Sequence, residues 1–414
     1  MRELSRDTFA LVLAGGNGTR LGELTKWQCK PAIPFAGHFR NIDFTLSNCV
    51  NSGVRRIAVL TQYKAHGLIA HLNGGWNFLP RATGEFLEVW PAQQRVHSGW
   101  YSGTADAVFQ NLDLVLAQRS RYTLVLAGDH IYKMDYRRML EQHVASGAGV
   151  TISCVPVPVE MAGSFGVLGV NAQRNVHSFI EKPSPATLEA ADGIGASSMV
   201  LASMGIYVFT TDYLVELLNR DASQAGSSHD FGKDILPTAV REGRVSAHQF
   251  VDDMGAPGYW RDVGTLDSYW GAHMELLGPS PAMDLYDDAW PIHTLPAVSA
   301  PARVSDDAGR HSVTNSLLAS GTVVGKSTVM RSVLSTNVRV GDDSLLDEVV
   351  VLPGARIGAG CKLHRCIVDS NVVVADGTVV GYQPPSNIER LGASPRIALV
   401  TSDATRPKDF RSVA

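Results

Sequence analysis

This sequence has little of what marks a specialised chain, and each shortage excludes something. Cysteine is sparse: five (Cys29, Cys49, Cys154, Cys361 and Cys366) occur in 414 residues, and none forms a CxxC pair. That excludes a disulfide framework and a cysteine-based zinc site, and the expectation is reduced, structural thiols. No charge of one sign dominates. The formal net charge is −4, so nothing draws the chain as a whole to nucleic acid or to an anionic membrane. Any anionic substrate must be held by local cations. No apolar run approaches the roughly 18–20 residues that span a bilayer. The opening MRELSRDTFA also lacks the apolar centre of a secretion signal. Neither a membrane nor nucleic acid is expected as a partner, and the expected location is the cytoplasm.

Several common site motifs are missing as well. The glycine-rich stretch near the start has no Gly-Lys-Ser/Thr ending, so it is not a Walker A loop. Its order, Gly15-Gly16-Asn17-Gly18, does not fit the GxGxxG dinucleotide fingerprint. No serine sits in a nucleophile-elbow motif, so a Ser-His-Asp nucleophile has no support.

What remains is the composition of an ordinary globular protein. At 45% hydrophobic and 18% charged, 414 residues support two or three domains with a core in each. Residues 1–280 alternate apolar strands (Ala10–Leu13, Arg56–Leu60, Leu124–Ala127, Val150–Pro156, Gly205–Phe209) with segments suited to helices, among them Ala105–Gln118 and Tyr136–Ser146. That alternation predicts an α/β fold, a Rossmann-like and mostly parallel mixed sheet, with ligands beyond the carboxyl ends of its strands. Five prolines between Pro279 and Pro301 mark a linker. From about Gly321 apolar residues recur roughly every six positions: Val340, Leu346, Val351, Ile357, Leu363, Val368 and Val374. Small residues follow at the corners, as in Val324-Gly325 and Ile357-Gly358. A sandwich with turns every 8–12 residues is the competing explanation, but this shorter period predicts a left-handed parallel β-helix of about four coils.

The most informative stretch is LVLAGGNGTRLGELTKWQCKP, residues 11–31. A buried strand ends in a glycine loop that carries Arg20 and, ten residues on, Lys30-Pro31. Backbone N–H groups and two cations suit a triphosphate. A simple glycine turn would explain the glycines but not the two cations. Asp129, directly after the apolar run Leu124–Ala127, is placed either to hold a hard cation or to cap a strand–helix junction. Glu181-Lys182-Pro183 offers a phosphate cation and a sugar hydroxyl acceptor, or is an exposed turn. Asp262, among aromatic and glycine residues, is a second metal-ligand candidate or part of the core. Ser228-His229-Asp230 suits sugar binding or a structural turn better than general base work, because an attacking phosphate oxygen is already anionic.

GGxGTRL followed by KP resembles the signature of sugar-nucleotide pyrophosphorylases. The ordered set LAGGNGTRL, KPAIPF, SNCVNSG, PAQQR, WYSGTADAV, AGDHIY, FIEKP, ASMGIYVF, HDFGKDILP and YWRDVGT narrows this. It resembles the bacterial ADP-glucose pyrophosphorylase (glucose-1-phosphate adenylyltransferase) family across most of residues 9–290. The resemblance implies three regions: a nucleotidyltransferase catalytic domain (1–280), the linker (281–310) and a β-helix for oligomerisation and regulation (311–414). It implies ATP and glucose 1-phosphate as substrates, Mg²⁺ as cofactor, ADP-glucose and pyrophosphate as products, a place at the committed step of glycogen synthesis, and a homotetramer.

By matched motif, Arg20 and Lys30 hold the phosphates of ATP, and Gly15, Gly16, Gly18 and Thr19 form its loop. Gln93 or Gln94, with the backbone near Gly103, reads adenine. Asp129 anchors Mg²⁺ with Asp262. Lys182 binds the sugar phosphate, and Glu181, Ser203, Asp230 and Tyr101 the glucose. Relatives often carry a basic pair where this chain has Trp27 and Gln28, so an altered activator response is expected. Lys26, Arg40, Arg390 and Arg396 remain as candidates for an effector site. The alternatives are a pyrophosphorylase using UTP or dTTP, a catalytically weak regulatory subunit, and an added acyltransferase activity in the β-helix.

Overall fold

The computed structural model describes residues 2–16, 18–93, 100–190, 198–252, 254–305, 309, 311–382 and 397–401. Asn17, Gln94, Arg390 and Arg396 therefore lie outside the described residues. The chain forms two compact units that interleave in sequence: residues 1–16, 44–260 and 289–293 make the first, and 17–43, 261–288 and 294–414 the second.

The first unit is built on a nine-stranded sheet. Its strands are β1 (Thr8–Leu13), β2 (Arg56–Thr61), β3 (Phe86–Pro91), β4 (Tyr122–Ala127), β5 (Val150–Pro158), β6 (Gly166–Val170), β7 (Val176–Glu181), β8 (Met199–Thr210) and β9 (Val245–Gln249). The order is β7-β6-β8-β4-β1-β2-β3, and β5 joins β8 to β9. β1 runs parallel to β2 and β4, with Leu11 opposite Ala58 and Val125. These central strands read as continuous apolar runs because both of their faces are covered. β8 is antiparallel to β4, β5 and β6, which makes the sheet mixed. Phe9, Leu11, Val125, Ile152, Phe209 and Leu214 lie together in the core. Helix Tyr136–Ser146 matches its predicted span; Asp135 caps its start and Gly147, at φ 63°, ends it.

Residues 105–118 depart from expectation. They form two short helices, Thr104–Phe109 and Leu112–Ala117. Asn111 separates them: its Nδ2 donates to the Ala107 carbonyl and to the Tyr101 hydroxyl, so a side chain takes over at the point where the helix would continue.

In the second unit, short parallel strands stack into a β-helix. One face holds Arg303–Val304, Val323–Val324, Arg339–Val340, Arg356–Ile357 and Val373–Val374. Strands Leu345–Val351 and Lys362–Val368 bend across a corner and serve two further faces. Between Val313 and Val380 successive coils are offset by 16 or 17 residues, as in Val313 opposite Val329 and Leu345 opposite Lys362, whereas the first pairing, Arg303 opposite Val323, is offset by 20. A strict period of six would give 18, so the coils between Val313 and Val380 are one or two residues tighter than the sequence pattern suggested. The stack also begins earlier than expected, at Arg303. Val340, Leu346, Val351, Ile357, Leu363, Val368 and Val374 are all buried inside it. Arg331, Glu348 and Arg365 stack at one corner with φ of 42°, 57° and 45°. Both arginines lie 3.3 Å from Glu348, which offsets the cost of left-handed backbone in non-glycine residues.

The hairpin Pro34–Phe35/Phe39–Arg40 and helix Leu266–Met274 pack within this same unit. Phe35 stacks on His273 at 4.2 Å, and Trp270 Nε1 donates to the Glu348 carbonyl at 2.8 Å. All five cysteines are buried and unpaired with one another.

Candidate active site

In the first unit, the chain continues past the carboxyl end of β1 into Ala14-Gly15-Gly16. The Ala14 N–H donates to the Leu60 carbonyl at 2.9 Å, so the strand edge is held until the glycines begin. A Cβ on Gly16 would meet nothing within 4 Å, which leaves its backbone open to a ligand. Gln93 is exposed just past β3. Asp129 and His130 follow β4, so a carboxylate stands at the strand edge where the sequence placed it.

A polar cluster gathers around the buried phenol of Tyr207. Burial raises its pKa, a hydrogen bond with Ser203 opposes that, and the carboxylates of Glu181 and Asp230 raise it further. Three of the sugar-binding candidates thus surround one tyrosine that the sequence reading had not singled out. Strand parity offered no signal for it, because β8 carries a register shift between Ser203 and Tyr207. Gly232 makes the room: a Cβ there would lie 2.5 Å from Glu181 Oε2 and 3.3 Å from Asp230 Oδ1. Lys182 follows with φ of 47°, and its Nζ lies 3.0 Å from Glu181 Oε1. Its side chain is 57% exposed, which suits a phosphate arriving from solvent.

Asp230 is fixed from several sides. Its Oδ1 accepts from the N–H groups of Gly232 and Lys233, and its Oδ2 accepts from Thr104 Oγ1 at 2.9 Å. The Ala105 and Asp106 N–H groups donate to the His229 carbonyl. That approach requires Gly103, where a Cβ would lie 2.2 Å from the same carbonyl oxygen. His229 itself is tied to Asp221 by a 2.7 Å contact from Nδ1 to Oδ2, not to Asp230. It orders a turn. Tyr101 is also anchored: its backbone N–H donates to Gln62 Oε1, and its hydroxyl accepts from Asn111.

In the second unit, Gly18 at φ 58° leads into the 3-10 turn Thr19–Thr25, and Thr25 Oγ1 donates back to the Gly18 carbonyl at 3.0 Å. Lys30 is held at the start of another short turn, where its own carbonyl accepts from Asn41 Nδ2. Its side chain is only 7% exposed, and Nζ donates to Asp262 Oδ1. Arg20, 56% exposed, lies 3.6 Å from Asp262 Oδ2. The two cations singled out for phosphate therefore converge on one carboxylate. Lys26 pairs with Glu23 at 2.8 Å, and the Arg40 guanidinium donates to the Ala32 carbonyl. Burial lowers the Arg40 pKa, and Asp43 and Cys29 oppose that. Trp27 is 69% exposed.

With this geometry in hand, comparison with known proteins is decisive. A nucleotidyl transferase family model matches residues 9–278, and a GlmU-like C-terminal hexapeptide model matches residues 300–400. A glucose-1-phosphate adenylyltransferase of Paraburkholderia phytofirmans is 49% identical, over 99% of this chain and 98% of the relative. Those of Paramagnetospirillum magneticum and Thiobacillus denitrificans are 50% and 49% identical over 96% of this chain, and over 94% and 91% of their own lengths. The chain belongs to the glucose-1-phosphate adenylyltransferase family. It is a nucleotidyltransferase, and its hexapeptide region is the left-handed β-helix expected from the six-residue pattern. Glucose-1-phosphate adenylyltransferases act on nucleotide and sugar-phosphate substrates with the help of a divalent cation. Among the described residues, no helix is long and apolar enough to cross a membrane.

Proposed function

We propose that this chain catalyses ATP + α-D-glucose 1-phosphate → ADP-glucose + pyrophosphate, as the committed step of glycogen synthesis in the cytoplasm. The observation that carries the reading is the cluster of Glu181, Ser203 and Asp230 around Tyr207 with Lys182 at its rim. Carboxylates and hydroxyls match a sugar's hydroxyl groups, and a half-exposed ammonium matches its phosphate. Tyr101 adds a further sugar contact. Full-length kinship to adenylyltransferases favours this over a UTP or dTTP enzyme or a regulatory subunit.

A phosphate oxygen of glucose 1-phosphate attacks the α-phosphorus of ATP, a new P–O bond forms, and the bond to the β-phosphate oxygen breaks. The attacking phosphate is ionised near neutral pH, so no general base is required. That agrees with a His229 committed to Asp221. Arg20 and Lys30 take the phosphates of ATP, with Lys30 nearer the reacting centre. Gly15, Gly16, Gly18 and Thr19 supply backbone donors to the same phosphates. Gln93 or Gln94, with the backbone at Gly103, reads adenine. Positioning and charge neutralisation supply the rate.

Mg²⁺ is the proposed cation, held by Asp129 and Asp262. Both offer hard oxygen donors. Asp262 already draws two cationic side chains, so its carboxylate is fitted to hold positive charge. When bound, the ion neutralises phosphate charge. Residues 1–280 act as the catalytic domain, 281–310 as the linker, and 311–414 as an oligomerisation and regulatory domain in a homotetramer. Lys26, Arg40, Arg390 and Arg396 are proposed as a residual effector site.

The deciding experiment is pyrophosphate release with glucose 1-phosphate and Mg²⁺ across ATP, UTP, dTTP, GTP and CTP. ATP-selective turnover is expected. No turnover with any nucleotide, from folded protein, would overturn the reading.

A further inference from the structure

His130 follows Asp129 directly, and the sequence reading gave it no role. Its Nδ1 lies 3.0 Å from the carbonyl oxygen of Met204. A carbonyl only accepts, so Nδ1 carries the proton. The indole Nε1 of Trp260 lies 3.4 Å from the same nitrogen, which is long for a hydrogen bond. A bare Nδ1 accepting from that indole would also set two lone pairs against each other at 3.0 Å. The shorter contact therefore decides the tautomer. In the neutral ring, Nε2 then presents a lone pair, and Nε2 lies 3.7 Å from Asp129 Oδ1. The two atoms are close enough to face one cation.

The ring is built into this posture. Trp260 packs edge-on against it, with centroids 5.1 Å apart at 83°. The irregular stretch of β8 between Ser203 and Tyr207 contains both Met204, whose carbonyl anchors Nδ1, and Gly205 at φ 66°. A Cβ on Gly205 would sit 3.4 Å from His130 Cε1, so that residue also bounds the ring. A histidine that ligates a metal usually has its other nitrogen fixed by a carbonyl or carboxylate, and that second shell is already present here.

We propose that His130 is a ligand of the divalent cation, its Nε2 joining the Asp129 carboxylate; this rests on the reading of Asp129 as a metal residue. At metal–ligand bonds of about 2.1 Å, neighbouring corners of an octahedron are about 3 Å apart. Binding would thus draw the two groups together by roughly 0.7 Å, a small side-chain adjustment. An imidazole beside a carboxylate favours Mn²⁺ or Co²⁺ over Mg²⁺, because nitrogen donors suit the later metals better. The site is therefore one that accepts Mn²⁺ more tightly than an all-oxygen site would.

The test is pulsed EPR on the full-length protein with Mn²⁺ and ATP, using wild type, His130→Gln and Asp129→Asn. Protein grown with ¹⁵N-labelled histidine separates imidazole couplings from those of adenine. The expected result is a histidine nitrogen coupling in wild type that is absent from His130→Gln, with Mn²⁺ affinity reduced at least about tenfold and an unchanged melting temperature. If wild type binds Mn²⁺ through Asp129 with no histidine coupling, His130 is a packing residue; the inference falls while the Asp129 reading stands. If Asp129→Asn binds Mn²⁺ as tightly as wild type, the Asp129 reading fails, and this inference fails with it.

Discussion

Lys30 donates to the carboxylate of Asp262, a residue 232 positions further along the chain, and Arg20 lies 3.6 Å from the other oxygen of that carboxylate. One anion thus holds both cations proposed to meet the phosphates of ATP. Lys30→Ala is expected to raise the KM for ATP and to lower kcat by about 10²–10³-fold, as when one electrostatic partner of a transition state is lost. Lys30→Arg should rescue little, because a planar fork does not fit a site shaped for a compact ammonium. Steady-state kinetics beside thermal melts would check this. A near-normal Lys30→Arg enzyme would show that charge alone suffices.

Asp129→Asn keeps the shape of the side chain and removes its charge. Turnover is expected to fall by about 10²–10⁴-fold with the fold intact. Pyrophosphate release and a melting curve on the same preparation decide the matter, and near-full activity would remove Asp129 from any metal role.

The sugar side is tested by two different substitutions. Lys182→Ala should act mainly on the KM for glucose 1-phosphate, since that ammonium is the one proposed for the substrate's phosphate. Gly232→Ala should act on the same KM without touching any charge, because its Cβ would come within 2.5 Å of Glu181 Oε2 and push that carboxylate aside. An effect confined to the KM for ATP in either variant would contradict the assignment.

Three histidines, His143 and His273 buried and His248 half-buried, set the acid limit of the fold. Burial holds His143, His248 and His273 down to about 4, aided at His248 by Arg174 and Arg138. Their folded-state values lie below the ordinary 6.5, so protonation favours the unfolded chain. Their stabilising effect is complete above about pH 6.5. It is lost as pH falls toward 4, at up to about 1.4 kcal/mol per pH unit for each group. Melting temperatures taken from pH 7.5 to 4.5 should be flat at first and then fall. A flat profile to pH 4.5 would mean that these rings are protonated, or hydrated, in the native state.

Trp27 and Gln28 stand where the family resemblance leads one to expect a basic pair, and Trp27 is 69% exposed. Losing two cations removes charge-assisted hydrogen bonds to an anionic effector. Activation by fructose 1,6-bisphosphate should be weak, and the double variant Trp27→Lys/Gln28→Arg should strengthen it. Strong activation of the unaltered enzyme at micromolar concentrations would show the inference wrong.

Much of the architecture was legible in the sequence because burial on both faces leaves an unambiguous trace. Phe9–Leu13 and Leu124–Ala127 are apolar without interruption, and they form adjacent parallel strands at the centre of the sheet. The β-helix was legible for the opposite reason, as a repeat, although its tightness was not. What stayed hidden depends on contacts between distant segments. Helix 105–118 breaks because Asn111 reaches Ala107 and Tyr101, and Tyr207 joins the sugar-binding candidates through an irregularity in β8. His130 Nδ1 rests against a carbonyl 74 positions away. No periodicity carries information of that kind.

The burial of all five thiols has a practical consequence. Burial pushes the Cys154 and Cys366 thiols up to about 12, and that of Cys49 higher still. Those three therefore offer almost no thiolate to an alkylating dye, and burial keeps Cys29 and Cys361 out of its reach. A single cysteine engineered on the surface would be the one fast-reacting group, so a fluorophore could be attached at a chosen position without first removing the native five. Slow labelling of the unaltered chain would in turn count molecules as they open.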